Sequence, residues 1–521
     1  GRIMELQGLS PTGQPVYYET HNLDAAYSVG TEQLWSGGLL GLNLNGLGMK
    51  VGEWDGGAVR LSHQEFGGRV TQADNAGTIS NHATHVAGTM IASGVQAQAH
   101  GMAPQALVDA YDWNSDDAEM AAAAANGLLI SNHSYGTVTG WAWGDWAHPG
   151  TSEWHWFGEP SVSTTEDWGF GAYSYGPFWW DSIAVDAPYY LIVKSAGNDR
   201  NDSYSGTHQV WNNGWTSSTA SRDPDGGADG YDCIGYNGNA KNILTVGAVN
   251  DVPGGYSAPG DVTMSSFSGW GPTDDGRIKP DLVANGVGLY SSLGGGDASY
   301  GSYSGTSMSS PSTSGSLLLL QEYHGALHGS YMRAATLKAL VIHTADEAGA
   351  NPGPDYAFGW GLLNTARAAT HLANITGGDS LLEGSLNDGS TYTLPVYLDG
   401  QHPLRATLAW TDYTGTPYSN QLNPTSPRLV NDLDLRLMGN GGIFMPYVLD
   451  PANPAAAATT GDNVRDNVEQ VYLAAPAAGW YTLQVSHKGN LAGGNQAFSL
   501  ILSRGGDPGT TCLSGISSLP Y

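Results

Sequence analysis

Met49-Lys50-Val51-Gly52-Glu53-Trp54, followed by Asp55 and then Gly56-Gly57, reads as a buried strand that breaks off at a carboxylate. Outward from it the same texture recurs. His85 to Ser93 is rich in small helix-compatible residues, Leu107 to Tyr111 is apolar and strand-like, and Asp117 to Asn126 is Ala-rich. Leu128 to Asn132, Asp181 to Asp186, Tyr190 to Lys194 and Ile243 to Ala248 continue the alternation. Apolar strands separated by helical stretches are what a parallel sheet covered by helices on both faces requires. The expected first domain, residues 1–375, is therefore α/β.

Beyond the helical Thr365 to Leu372 the texture changes. Short alternating runs separated by Gly, Asn, Asp and Pro follow one another: Thr391 to Tyr397, Leu404 to Trp410, Asp432 to Leu437, Glu469 to Leu473, Gly479 to Ser486 and Ala497 to Ser503. With no helical period between them, these predict an all-β domain over 376–504, a β-sandwich or jelly roll. Residues 505–521 read as a linker-like tail. Within the first domain, 141–180 holds eight of the seventeen tryptophans among Gly, Pro and acidic residues. This insertion predicts an elaborate loop, either packed on itself or forming an aromatic rim to a cleft.

Composition narrows the function. With 48 acidic residues against 19 Lys and Arg, the formal charge is −29, which excludes the basic surface that nucleic-acid binding needs. No stretch approaches the ~20 uninterrupted apolar residues of a membrane span. Cys233 and Cys512 allow one bridge or two buried thiols, and their scarcity excludes a disulfide scaffold. The start at Gly1-Arg2-Ile3-Met4 carries no basic, then apolar, leader and suits a processed mature form.

Serine becomes a nucleophile only when a base takes its proton and a third group orients that base. Asp55 sits where a strand emerges at the sheet's carboxyl edge. His85 lies in Asn81-His82-Ala83-Thr84-His85-Val86-Ala87-Gly88-Thr89, and Ser307 in Ser304-Gly305-Thr306-Ser307-Met308, ahead of an apolar helix. Each placement alone is weak. Together they run Asp, His, Ser, one of the known orders of such a triad.

These segments resemble the subtilase family, in layout its secreted bacterial members with a C-terminal β-barrel or jelly-roll domain. The resemblance covers about residues 45–370 and implies a secreted serine endopeptidase of broad specificity, made with a propeptide, acting as a monomer on protein or peptide substrates. It assigns Asp55, His85 and Ser307 as the triad. Asn198, in Lys194-Ser195-Ala196-Gly197-Asn198, matches the family's oxyanion amide. It also implies that Ser134, Tyr135 and Gly136 pair with substrate backbone, and that Ser195, Ala196 and Gly197 form the facing wall of a side-chain pocket. Gly56, Ala83 and Ser312 depart from the family's usual residues. The β-domain resembles that of calcium-dependent alkaline subtilases, and Asp432, Asp434, Asn467 and Glu469 are the expected ligands of a structural calcium. No organic cofactor is expected. Two other readings stay open: a binding or adhesion protein on a degenerate protease scaffold, and a metallohydrolase using His82 and His85, one helical turn apart.

Overall fold

The computed structural model describes residues 4–9, 15–19, 22–375 and 379–504. Cys512 and the tail lie outside the described residues. At the centre is a seven-stranded parallel sheet in the order Leu282–Asn285, Leu244–Val249, Leu191–Ser195, Ile130–His133, Lys50–Asp55, Leu107–Asp112 and Val70–Gln72. The strand read first from sequence lies inside this sheet, so both of its faces are covered. Val51 and Trp54 are fully buried. Trp54 stacks on Tyr111 and His133 of the two flanking strands, at 4.4 and 5.2 Å between ring centroids. Gly52 is what leaves room, since a Cβ there would stand 2.5 Å from the Trp54 ring.

Helices cover both faces. Asn81–Ile91 is capped by Ser80, whose hydroxyl accepts the Ala83 N–H. Its Gly88 lets the hairpin Leu289–Ser292 and Tyr300–Tyr303 approach, because a Cβ would fall 2.2 Å from Ser292 Oγ. The long helix Thr306–His328 is buried along most of its length.

The tryptophan-rich segment departs from the expected loop. Trp141–Gly144 and Glu153–Trp156 join His208–Trp211 and Trp215–Ser218 in a four-stranded sheet, with Trp141 and Trp156 buried and Trp143 and Trp211 exposed. Half of that sheet comes from beyond residue 180, after a helix and a central strand, so no local window of sequence displays it.

After the helix Thr365–Ala373 the chain is all β. Ser380–Asn387, Asn495–Ser503, Leu404–Ala409 and Val468–Leu473 form one antiparallel sheet, and Tyr392–Leu398, Gly479–His487, Leu433–Gly439 and Gly442–Phe444 the other. Leucines and aromatics of both sheets share one core, which makes a sandwich. The first sheet also packs on helix Ala334–Thr344, where His343 bridges Thr407 Oγ1 and Ser503 Oγ at 2.9 and 2.8 Å.

Candidate active site

Three adjacent strands end at the same edge of the sheet, and each delivers a segment to it. Lys50–Asp55 ends in Asp55, Ile130–His133 leads into Ser134, and Leu191–Ser195 leads into Asn198. Carboxyl ends of parallel strands are where α/β folds bind ligands.

Asp55 is 2% exposed. Its Oδ1 accepts the Gly56 N–H at 2.7 Å, and its two oxygens lie 2.8 and 2.9 Å from His82 Nδ1. A carboxylate only accepts, so the Nδ1 proton belongs to His82 and Nε2 is the acceptor-capable nitrogen. The histidine assignment from sequence is therefore corrected. His82, not His85, is the partner of Asp55. Ser80 starts the helix so that residue 82 falls in its first turn at the sheet edge, while residue 85, a turn deeper, enters the core. His85 is fully buried, donates Nε2–H to Leu289 O at 2.9 Å and stacks on Tyr303. Burial pulls its pKa down to about 3, keeping it neutral. The two histidines do not converge on a common point, which removes the metallohydrolase arrangement.

Around Asp55 the departures from the family pattern have local causes. A Cβ at Gly56 would collide with the Trp113 ring at 2.8 Å. Ala83 is an ordinary buried helical position and needs no positive φ. Ser312 is fully buried, and its hydroxyl has no partner. Two residues before Asp55, Glu53 is also fully buried with both oxygens unpartnered, and burial raises its pKa well above the carboxylate range.

Ser307 is the second residue of its helix. Four residues on, Pro311 has no N–H to give the Ser307 carbonyl. Ser134 Oγ takes that place, donating to Ser307 O at 3.0 Å, and Ser307 Oγ in turn donates to Ser134 O at 3.0 Å. Asn132 supports the pair by donating to Ser134 Oγ and accepting from Ser310 and Ser314 Oγ at 2.8 and 3.0 Å. Across from it, Asn198 Oδ1 accepts both the N–H and the hydroxyl of Thr306, at 2.8 and 3.0 Å. This fixes the amide orientation, and among the described residues the Nδ2 group has no acceptor.

Of the expected substrate-binding residues, Ser134, Ser195 and Ala196 are buried behind the edge, and Gly136 is exposed. Residues 135–138 join no strand among the described residues. Gly197 has φ 103 and donates its N–H to Thr306 Oγ1 at 3.1 Å. Sequence reasoning passed over His82 as a base and Thr306 as the anchor of Asn198. The Ser80 cap was the available signal for the first.

The calcium ligands expected in the β-domain do not fit a cation. Lys488 Nζ lies 3.1 Å from Asp432 and 2.6 Å from Asp434, and Arg436 is 2.7 Å from Asp434. Glu469 accepts the Leu435 N–H and has Arg436 at 3.5 Å. Asn467 instead gives its amide to Trp410 O and Asn242 Oδ1. Basic side chains thus hold the positions a metal would take. Among the described residues no group of three His, Cys, Asp or Glu is arranged to bind one.

Comparison with known proteins bears on residues 59–361. Residues 59–361 match the Subtilase family, Peptidase_S8. The chain is 27% identical over 286 residues to the serine protease/ABC transporter B family protein tagA of Dictyostelium discoideum, covering 48% of this chain and 16% of that protein. It is 34% identical over 175 residues to pyrolysin of Pyrococcus furiosus, covering 28% and 12%, and 38% identical over 86 residues to a C5a peptidase of Streptococcus pyogenes, covering 16% and 7%. The chain thus spans less than a fifth of the length of each of these relatives. Among solved structures, the prenylagaramide maturation protease PagA aligns at 20% identity with a TM-score of 0.42, over 62% of this chain and 94% of that one. A cold adapted subtilisin-like serine proteinase aligns at 19% with a TM-score of 0.39, over 62% and 90%. The family match fills more than half of the sequence and holds His82, Asn198 and Ser307, and the chain belongs to the subtilase family.

Proposed function

We propose that the protein is a serine endopeptidase in which Ser307 is the nucleophile, His82 the general base and Asp55 the group that orients it. The observation that carries this is the two-oxygen contact of buried Asp55 with His82 Nδ1, at the edge where Ser307 begins its helix. Nε2 of His82 takes the Ser307 proton as Oγ attacks the peptide carbonyl, then returns it to the leaving amine. Water hydrolyses the resulting acyl-enzyme by the same path in reverse. The Ser307 N–H at the helix N-terminus and the Asn198 Nδ2 group are the donors for the oxyanion.

An extended substrate adds as a strand along residues 135–138, which supports tolerance of sequence away from the side-chain pocket. Secretion and a propeptide belong to the same proposal and rest on the family resemblance. The test is Ser307→Ala beside the wild type on a mixed peptide library, with fluorophosphonate labelling of Ser307. Cleavage should fall on the order of 10⁶-fold, as when such a nucleophile is removed. Undiminished proteolysis in the variant, or a wild type that neither cleaves nor labels, overturns the assignment.

A further inference from the structure

Between the two segments that flank Ser307 lies a cavity of about 340 Å³. Gly136 and Thr137 line one side and Lys194 another, with Gly235, Asn237 and Asp116 also contributing. Its wall at Tyr135, Gly136 and Thr137 continues the chain from Ser134, which exchanges two hydrogen bonds with Ser307. A Cβ at Gly136 would stand 3.9 Å from Lys194 Nζ, which places the amine opposite that wall.

Lys194 is 4% exposed, and among the described residues it makes no ion pair. Its Nζ donates to Ser195 O at 2.7 Å and Ser195 Oγ at 3.0 Å, two neutral acceptors for a group with three N–H donors. A buried ammonium without a counter-ion is costly, and here burial brings the pKa down to about 7, with Asp199 only partly opposing. Asp199 Oδ2 lies 3.4 Å from where a Gly197 Cβ would stand and forms no ion pair with the amine among the described residues; burial pushes its own pKa up to about 6, with the Lys194 charge only partly opposing. Asp116, the carboxylate at the cavity, is bound by the Tyr135 hydroxyl at 2.6 Å.

We propose that Lys194 makes this cavity a pocket for an acidic side chain, so that the bonds cleaved fastest are those following Glu or Asp. The inference rests on the endopeptidase reading and narrows its substrate class. The substrate carboxylate supplies the missing counter-ion, and the third N–H of Lys194 donates to it.

Peptides identical except for Glu, Gln or Lys before the cleaved bond test it, with the wild type and Lys194→Met compared and Ser307 labelling as the control for an intact site. The wild type should prefer Glu over Gln by at least about tenfold in kcat/KM, the value of one charge-assisted hydrogen bond. In Lys194→Met that ratio should collapse toward one. A wild-type ratio near one, a ratio unchanged by the substitution, or fastest cleavage after Lys, which would put Asp116 in control, overturns the inference while leaving the endopeptidase intact. If Lys194→Met does not label, the wild-type ratio alone decides. If no peptide is cleaved and Ser307 stays unlabelled in the wild type, the endopeptidase reading fails and takes this inference with it.

Discussion

Carboxylates at the carboxyl edge of the parallel sheet and carboxylates in the seam beneath the β-sandwich meet opposite demands. At the edge, Asp55 holds a single imidazole that is 37% exposed and whose Nε2 has no partner among the described residues. In the seam, Asp412 and Lys241 are both fully buried, and Asp412 also accepts the Val430 and Asn431 N–H groups at 2.9 and 2.8 Å. Lys241 spends its remaining donors on Tyr413 O and Arg428 O. Behind the seam, Asp281 is taken by Lys279, Lys338 and the Thr245 N–H at 2.6, 2.8 and 2.7 Å. The edge keeps hydrogen-bonding capacity in reserve for a substrate, whereas Asp412, Lys241 and Asp281 spend theirs fixing one half of the molecule on the other.

The comparison breaks most sharply at the two histidines. His82→Ala should lower kcat/KM on the order of 10⁶-fold, with a stability loss smaller than that of His85→Ala because its ring is partly open to water. His85→Ala should do the reverse. Losing the buried ring on Tyr303 and the bond to Leu289 O costs about 2–4 kcal/mol of stability, with the folded protein keeping its chemistry within about tenfold. Titration of active sites with a fluorophosphonate separates the two effects, and a His85 variant as inactive as the His82 one would dissolve the distinction.

In the seam the expected effect is on stability alone. Asp412→Ala strands the Lys241 ammonium where neither water nor another carboxylate reaches it. Removing one member of a buried pair costs about 3–5 kcal/mol. Denaturant unfolding followed by tryptophan fluorescence should show an earlier transition, while kcat of the folded enzyme stays unchanged. A near-neutral variant would mean that the seam is held by its apolar contacts and that its ion pair is idle.

Asp55 and Ser307 were marked in the sequence by small residues and glycines at element ends and Asn198 by the family resemblance, and the fold brings all three to element ends at the sheet edge. Which histidine serves Asp55 was not legible from the motif, as His82 and His85 share small neighbours and differ only by one helical turn. The start of the helix decides, and that depends on the Ser80 hydroxyl reaching the Ala83 N–H. The alternation of strands and helices was enough for five of the seven strands of the sheet, and it missed Leu282–Asn285 and the short edge strand Val70–Gln72, whose Val-Thr-Gln carries too little apolar signal. It failed for the tryptophan-rich sheet, whose strands Glu153–Trp156 and His208–Trp211 pair across a helix and a core strand. The calcium ligands came from the resemblance of the β-domain, and the pairing of their side chains does not suit a cation. Asp432 and Asp434 do cluster, but Lys488, on the chain just after a neighbouring strand, arrives in the same place and neutralises them. Lys194 entered the sequence reading only as the last residue of the run from Tyr190, and only folding brings its amine near Gly136.

The smallest expected effect is a shift along the pH axis. Burial by itself would lower the pKa of His82, but the hydrogen bond and charge of Asp55 outweigh it, so the net displacement is upward from 6.5. A general base must be neutral, so the acid limb of kcat/KM should have its midpoint above pH 6.5 and activity should climb to a plateau beyond it. Stability runs the other way. A folded-state pKa above the unfolded value means that protonated His82 stabilises the fold fully below pH 6.5, and this contribution is lost as pH rises through the folded value. The enzyme therefore gains activity over the interval in which the Asp55–His82 pair gives up its charge-charge stabilisation. The pH profile of kcat/KM on a neutral peptide reads the first trend, and denaturant midpoints across the same range read the second. His85, held near 3, cannot produce a limb in this region. A midpoint at or below 6.5 would mean that Asp55 does not hold the charge of His82, and a limb near 3 would return the role of base to His85.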